Sequence, residues 1–165
     1  MAKKTNRASG GTPASKELAR LGIEATLHSY DFDPGDLGIG EQAAMALGIA
    51  PERLFKTLIV MIDGQRPAMA LTPVAAETRM KTLASALGGK RAAMATPIEA
   101  ERLSGYVKGG ISPFGLRQKL DVVVDRSAED HETIFVNGGR RGLQIELAPK
   151  DLIRALGASL ANLAR

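Results

Sequence analysis

"RLFKTLIVMID" occupies residues 53–63. Pro51 stands before it and Asp63-Gly64 closes it, so it reads as one strand between turn formers. The run alternates. Phe55, Thr57, Ile59 and Met61 share one face, and Lys56, Leu58, Val60 and Ile62 share the other. An amine therefore sits in line with three aliphatic side chains. Either its stem lies along the apolar face with the ammonium reaching water, or the ammonium stands at the rim of a pocket beside Leu58 and Val60. There it could hold a phosphate or polarise a carbonyl.

The surroundings extend this strand into a sheet. "RPAMALTPVA" (66–75) is its expected hairpin partner across Asp63-Gly64-Gln65. "EATLHSYDF" (24–32), "LDVVVD" (120–125), "TIFVN" (133–137) and "LQIEL" (143–147) read as further strands, the last two joined by the glycine-rich loop "GGRRG" (138–142). Helices are expected at 13–22, 41–48, 78–88, 96–105 and 148–157. Thr96, Pro97 and Glu99 form a capping box with proline at the first helical position. "DPGDLGIG" (33–40) is turn-rich. Strands and helices alternate without a βαβ rhythm, which predicts a single α+β domain over 13–165 around a mixed, largely antiparallel sheet. The basic stretch 1–12 lacks an apolar run and reads as a disordered tail.

Composition narrows the chemistry. The chain has 165 residues, 44% of them hydrophobic, and no cysteine. That suffices for one buried core and excludes disulfides, a cysteine nucleophile and thiolate metal sites. His28 and His131 lack metal-ligand spacing, so no metal and no cofactor is expected. No apolar run is long enough to span a membrane, which predicts a cytoplasmic protein. A net charge of +4 favours polyanionic partners.

Few motifs suggest a reaction. "GIGEQA" (38–43) follows no hydrophobic strand and is loop punctuation rather than a dinucleotide fingerprint. Ser112 precedes Pro113 and has no evident base; its hydroxyl suits a turn. "YVKGGISPFG" (106–115) fits neither helix nor strand period. Its Gly109-Gly110 pair could present backbone N–H groups to an anion or a carbonyl oxygen, or could simply turn the chain. Arg140 and Arg141 at a hairpin tip form a solvated turn or a phosphate clamp. "YDFDP" (30–34) offers Tyr30 beside two aspartates, as an acid–base pair or an Asx-rich turn.

Taken together, "HSYDFDP", "GEQAAMALG", "RLFKTLIV", "MATPIEAERLSGYVKGGISPFG", "TIFVNGGRRGLQIELAP" and "DLIRALGA" resemble the YbaK/EbsC-type aminoacyl-tRNA deacylases, relatives of the editing domain inserted in bacterial prolyl-tRNA synthetases. The resemblance runs from about Pro13 to about Gly157. It implies a mixed, barrel-like sheet surrounded by helices and a pocket for the aminoacylated 3′ end of a tRNA. It also implies cleavage of mischarged Cys-tRNA(Pro), with no metal, no cofactor and prolyl-tRNA synthetase as a candidate partner. Lys56 falls on the family's lysine and would anchor the terminal phosphate or ester. Gly109, Gly110, Ile111 and Ser112 would border the reacting ester. Tyr30, Ile39, Thr57, Leu58, Asn137, Gly138, Arg140 and Arg141 would bind substrate. Ile39 and Asn137 depart from the Phe and Ser frequent in relatives, which bears on side-chain selectivity. In the Cys-specific members the substrate's own thiol attacks its ester. A deacylase for another ester, such as Ala-tRNA(Pro), or a non-catalytic binder of a tRNA end or nucleotide, are the alternatives.

Overall fold

The computed structural model describes residues 4–7, 11–33 and 38–165. Residues 1–3 and 8–10 of the expected tail, and 34–37 of the expected turn, lie outside the described residues. Among the described residues, nine strands run in chain order as β1 (Lys4–Arg7), β2 (Ala25–Ser29), β3 (Phe55–Ile62), β4 (Arg66–Pro73), β5 (Ala92–Met94), β6 (Asp121–Asp125), β7 (Ile134–Asn137), β8 (Leu143–Leu147) and β9 (Ser159–Ala161). The helices are α1 (Pro13–Leu21), α2 (Ile39–Leu47), α3 (Met80–Ala86), α4 (Pro97–Ser104) and α5 (Pro149–Leu156).

The opening strand is β3, and it pairs in antiparallel register with β4 from Phe55↔Pro73 to Ile62↔Arg66. Asp63 and Gly64 turn the chain with positive φ (54° and 70°). Asp63 also accepts the N–H groups of Lys90 and Arg91 at 3.0 and 2.9 Å, which brings β5 alongside β3.

The single barrel-like sheet is corrected to two open sheets, ordered β1-β2-β8-β7 and β5-β3-β4-β6-β9. Pairing is antiparallel except where β6 joins β4 and β9. The inner faces of both sheets enter one core. Leu27, Ile145 and Val136 come from the first sheet, and Phe55, Ile59, Met69 and Val124 from the second, closed by α1, α4 and α5. α2 covers the outer face of the first sheet through Ala43, Ala44 and Leu47 against Tyr30 and Phe135. α3 covers the outer face of the second through Leu83 against Val60, Ile62 and Leu163. Both faces of β3 are thus occupied, as its continuous apolar character requires. The sheets touch at a bridge between Leu54 and Phe135, at the start of β3.

Part of the stretch expected as a tail takes part in the first sheet. Lys4–Arg7 pair along β2, supplying backbone partners to what would otherwise be a sheet edge. Thr12 caps α1: Ser15 N–H donates to Thr12 Oγ1 at 3.2 Å, and the Thr12 hydroxyl donates to Gly138 O at 2.6 Å.

Candidate active site

The junction of the two sheets opens into a cavity of about 480 Å³. Its walls come from four places: the first turn of α2 (Gly38–Glu41), the start of β3 (Leu54–Thr57, Ile59) with Val74, the β5–α4 segment (Met94, Ala95, Pro97, Ala100, Glu101), and the loop after α4 (Lys108, Gly109, Ile111). Asn137 and Gln144 reach it from β7 and β8.

The packing of these walls explains several glycines. A Cβ at Gly40 would stand 2.7 Å from Val74 Cγ1, so only glycine lets α2 settle there. Gly109 has φ of 84°, and a Cβ on it would reach 2.3 Å from Ile39 Cδ1 and 2.9 Å from Arg141 Nε. At Gly110 the obstacle is the backbone of Arg140, 2.9 Å away. The double glycine therefore lets two loops lie against each other. Asn137 ties them: its Nδ2 donates to Gly109 O at 3.1 Å, and its Oδ1 accepts Gly139 N–H at 2.7 Å. Arg141 adds a bond from Nε to Lys108 O at 3.2 Å and stacks over Phe32 at 5.3 Å.

Lys56 lines the cavity, half-buried, and its Nζ donates to Ala76 O at 2.7 Å. Burial pushes its ammonium below the ordinary lysine value, and the carboxylate charge of Glu77 opposes that shift. Next to it on the inner face, Thr57 presents a buried Oγ1 with no hydrogen-bond partner among the described residues. Such an atom costs stability unless a water or ligand meets it. Gln144, 3% exposed, also lines the cavity.

Of the residues expected at the site, Lys56, Thr57, Ile39, Gly109, Ile111 and Asn137 line this one cavity. The others do not. Ser112 is fully buried and its Oγ accepts Phe114 N–H at 3.3 Å, so its hydroxyl holds the turn. Gly110 spends its N–H on Val107 O at 2.9 Å; among the described residues, no hydrogen bond uses the N–H of Gly109 or Ile111. Leu58 packs on the outer face toward α3. Arg140 and Arg141 stand behind the wall against the Gly109 loop, while Gly138 packs on Leu143 and accepts the Thr12 hydroxyl. Tyr30 lies under α2, with its N–H donated to Gly142 O at 2.9 Å. Burial pushes its phenol up, against the side chain of Gln144 and the backbone of Gly142.

Sequence reasoning missed Lys108, Gln144, Met94 and the carboxylates Glu41 and Glu101 as cavity residues. Lys108 was within reach, because it adjoins Gly109. Gln144 was not: alternation in β8 puts it opposite Leu143 and Ile145, but which sheet face borders a cavity is a tertiary fact. No group of three or more His, Cys, Asp or Glu side chains suited to a metal ion occurs among the described residues, and none of their helices is long and apolar enough to cross a membrane.

Residues 38–155 match the family model of the aminoacyl-tRNA editing domain, and that span contains every wall of the cavity. The chain belongs to this family. The editing domain is thus an aminoacyl-tRNA deacylase, an enzyme of ester cleavage. It is 34% identical over 123 residues to an Enterococcus faecalis protein named "Putative Cys-tRNA(Pro)/Cys-tRNA(Cys) deacylase EbsC", covering 74% of this chain and 75% of that one. It is 28% identical over 102 residues to the proline–tRNA ligase of Streptococcus suis, covering 62% of this chain and 16% of the ligase. In fold it is similar to a solved structure titled as a "putative trans-editing enzyme for prolyl tRNA synthetase", with a TM-score of 0.79, 20% identity, and coverage of 93% and 95% of the two chains.

Proposed function

We propose that this editing domain acts in trans, in the cytoplasm, on mischarged Cys-tRNA(Pro), and that the substrate's own thiol cleaves the ester. One observation carries the reading. The cavity combines the cations Lys56 and Lys108 with the Gly109 loop, yet among the described residues no serine, cysteine or histidine lines it, and the Thr57 hydroxyl that does has no hydrogen-bonded base to activate it. Such a site can position and stabilise but offers no activated nucleophile. The Enterococcus relative's name supports the cysteinyl ester, and the ligase match supports a link to prolyl-tRNA.

In this mechanism the cysteine sulfur forms a bond to its own carbonyl carbon. The bond from that carbon to the ribose oxygen breaks, and the proton lost from the thiol ends on the ribose oxygen. The products are tRNA and a four-membered thiolactone, with no water consumed. Lys56 holds the terminal phosphate or the ester. The N–H groups of Gly109 and Ile111 are the donors free to meet the carbonyl oxygen as it gains charge. Thr57 Oγ1 gains a partner on the substrate, while Ile39 and Asn137 bound the amino-acid side chain. Tyr30 shapes the site from behind Gln144, and Arg140 and Arg141 hold the loop toward the acceptor stem. Prolyl-tRNA synthetase is the candidate partner that supplies the tRNA.

The test is multiple-turnover deacylation of Cys-, Ser- and Ala-tRNA(Pro) by the wild type and Lys56→Ala. Turnover confined to the cysteinyl ester, and reduced at least a hundredfold in a folded Lys56→Ala, is expected. Equal turnover of Ala-tRNA(Pro) would rule out the thiol mechanism. Full activity of the variant would remove Lys56 from it.

A further inference from the structure

The carbonyl that holds Lys56 belongs to a loop, Val74–Arg79, which is itself held by residues far away in sequence. Glu77 and Arg165 exchange both backbone hydrogen bonds, Arg165 N–H to Glu77 O at 2.9 Å and Glu77 N–H to Arg165 O at 3.4 Å. Arg79 N–H donates to Leu163 O at 2.7 Å, and Thr78 bridges Ala164. The side chains of Arg165 and Glu77 form an ion pair at 3.1 Å. Behind Thr78, its hydroxyl meets that of Thr72 on β4 at 3.0 Å, and Thr72 is the register partner of Lys56.

The same segment is anchored at its other side. Leu163 is fully buried between β3, β6 and α3. The N–H groups of Leu163 and Ala164 both donate to one oxygen of Asp125, each at 2.8 Å. The other Asp125 oxygen takes the N–H and hydroxyl of Ser127. Asp125, 3% exposed, is therefore a buried carboxylate satisfied by four donors, two of which come from the segment. β9 leads into it, paired in parallel with β6. None of residues 159–165 lines the cavity, and all lie outside the span matched by the family model.

We propose that residues 163–165 are a positioning strap for the active site: pinned by Asp125, they fix the 76–79 loop so that Ala76 O holds the Lys56 ammonium at the cavity rim. The inference rests on the role of Lys56 given above. Asp125, Ala164 and Arg165 are thus positioning residues, acting through the loop rather than on substrate. Without the strap the loop keeps the Val74 and Ala76 bonds to Leu54 and Pro73 but loses the backbone partners of Glu77 and Arg79, and the carbonyl that holds Lys56 is fixed from one side alone. Orientation of a charged group is worth large rate factors even when binding survives.

Ala164→Pro removes one of the two N–H groups by which Asp125 pins the strap, while leaving Leu163 in the core and the N–H donors of Arg165, Glu77 and Arg79 in place. Ala164→Gly keeps the amide and is the matched control. Asp125→Asn is the second route, should Ala164→Pro not fold. Two readouts are taken on the full chain: the side-chain NMR signal of Lys56, assigned through its loss in Lys56→Ala, and kcat and KM for aminoacyl-tRNA. The expected result for Ala164→Pro is a displaced and titration-shifted Lys56 signal with kcat down about tenfold or more and KM little changed, and wild-type behaviour for Ala164→Gly. An unmoved Lys56 signal in a folded Ala164→Pro or Asp125→Asn protein overturns the strap. A moved signal with undiminished kcat upholds the strap and overturns instead the catalytic part assigned to Lys56. If both Ala164→Pro and Asp125→Asn unfold, the segment is a determinant of the fold as a whole and the positioning role is rejected.

Discussion

Lys56 is where strand pattern and electrostatics meet. Alternation placed its amine in line with Leu58, Val60 and Ile62, and the structure gives that amine a backbone acceptor rather than a carboxylate. Burial lowers its affinity for a proton relative to the ordinary 10.5, with the Glu77 charge opposing. Between the folded-state value and 10.5 the unfolded chain binds more protons, so this residue makes the fold more stable as pH rises through that window. Its charge is a cost below the window and a relieved cost above it. A side-chain NMR titration is expected to find the Lys56 midpoint below 10.5, and lower still in Glu77→Gln. A midpoint at or above 10.5 would mean that the Ala76 bond and the Glu77 field outweigh burial. Of the residues that line the cavity, Lys56, Thr57 and Gly109 were legible in the sequence. Their division of labour was not. Gly110 and Ser112 read as members of the reacting loop, but their N–H and hydroxyl are spent on Val107 O and on Phe114 N–H, partners that only the folded loop reveals.

Helix ends were legible where their chemistry is local. Thr96 and Glu99 exchange side-chain and backbone bonds at 3.1 and 3.0 Å as their spacing predicts. α1 carries a box of different composition, with Ser15 in the place of the usual Glu or Gln, and Thr12 also reaches Gly138 O across the chain. That second bond ties the start of α1 to the hairpin that supports Gly109. Thr12→Ala removes both, and Thr12 is buried, so a loss of about 1–2 kcal/mol is expected, read as a lower urea midpoint at constant m, with Thr12→Ser close to wild type. A change under about 0.5 kcal/mol would show that water replaces the hydroxyl at no cost. The short strands escaped sequence reading for a related reason. β5 and β9 are three residues each, built from Ala, Met, Ser and Leu. Nothing local marks them as strands, and they exist because β3 and β6 offer them an edge.

At the level of the whole molecule, alternation in each strand told which side chains share a face but not that two sheets would pack those faces into one core. The cavity owes its place to that arrangement. It opens where Leu54 meets Phe135 and the sheets diverge, so residues remote in sequence, such as Lys56, Lys108 and Asn137, arrive at one rim. The net charge of +4 is modest, and only cations near the cavity can act on the phosphates of a tRNA end. Each phosphate neutralised releases counterions, so binding weakens linearly in log salt with a slope set by the number of contacts. With two or three contacts, kcat/KM for aminoacyl-tRNA is expected to fall about tenfold between 50 and 200 mM salt. Lys108→Ala should weaken binding and reduce the slope by about one, because one phosphate contact is lost. Thr57→Val, which removes a polar atom but no charge, should leave the slope unchanged. A salt-independent kcat/KM would mean that the aminoacyl group alone, held in the apolar cavity, supplies the recognition. An unaltered slope in Lys108→Ala would mean that the phosphate contacts come from other cations on this surface.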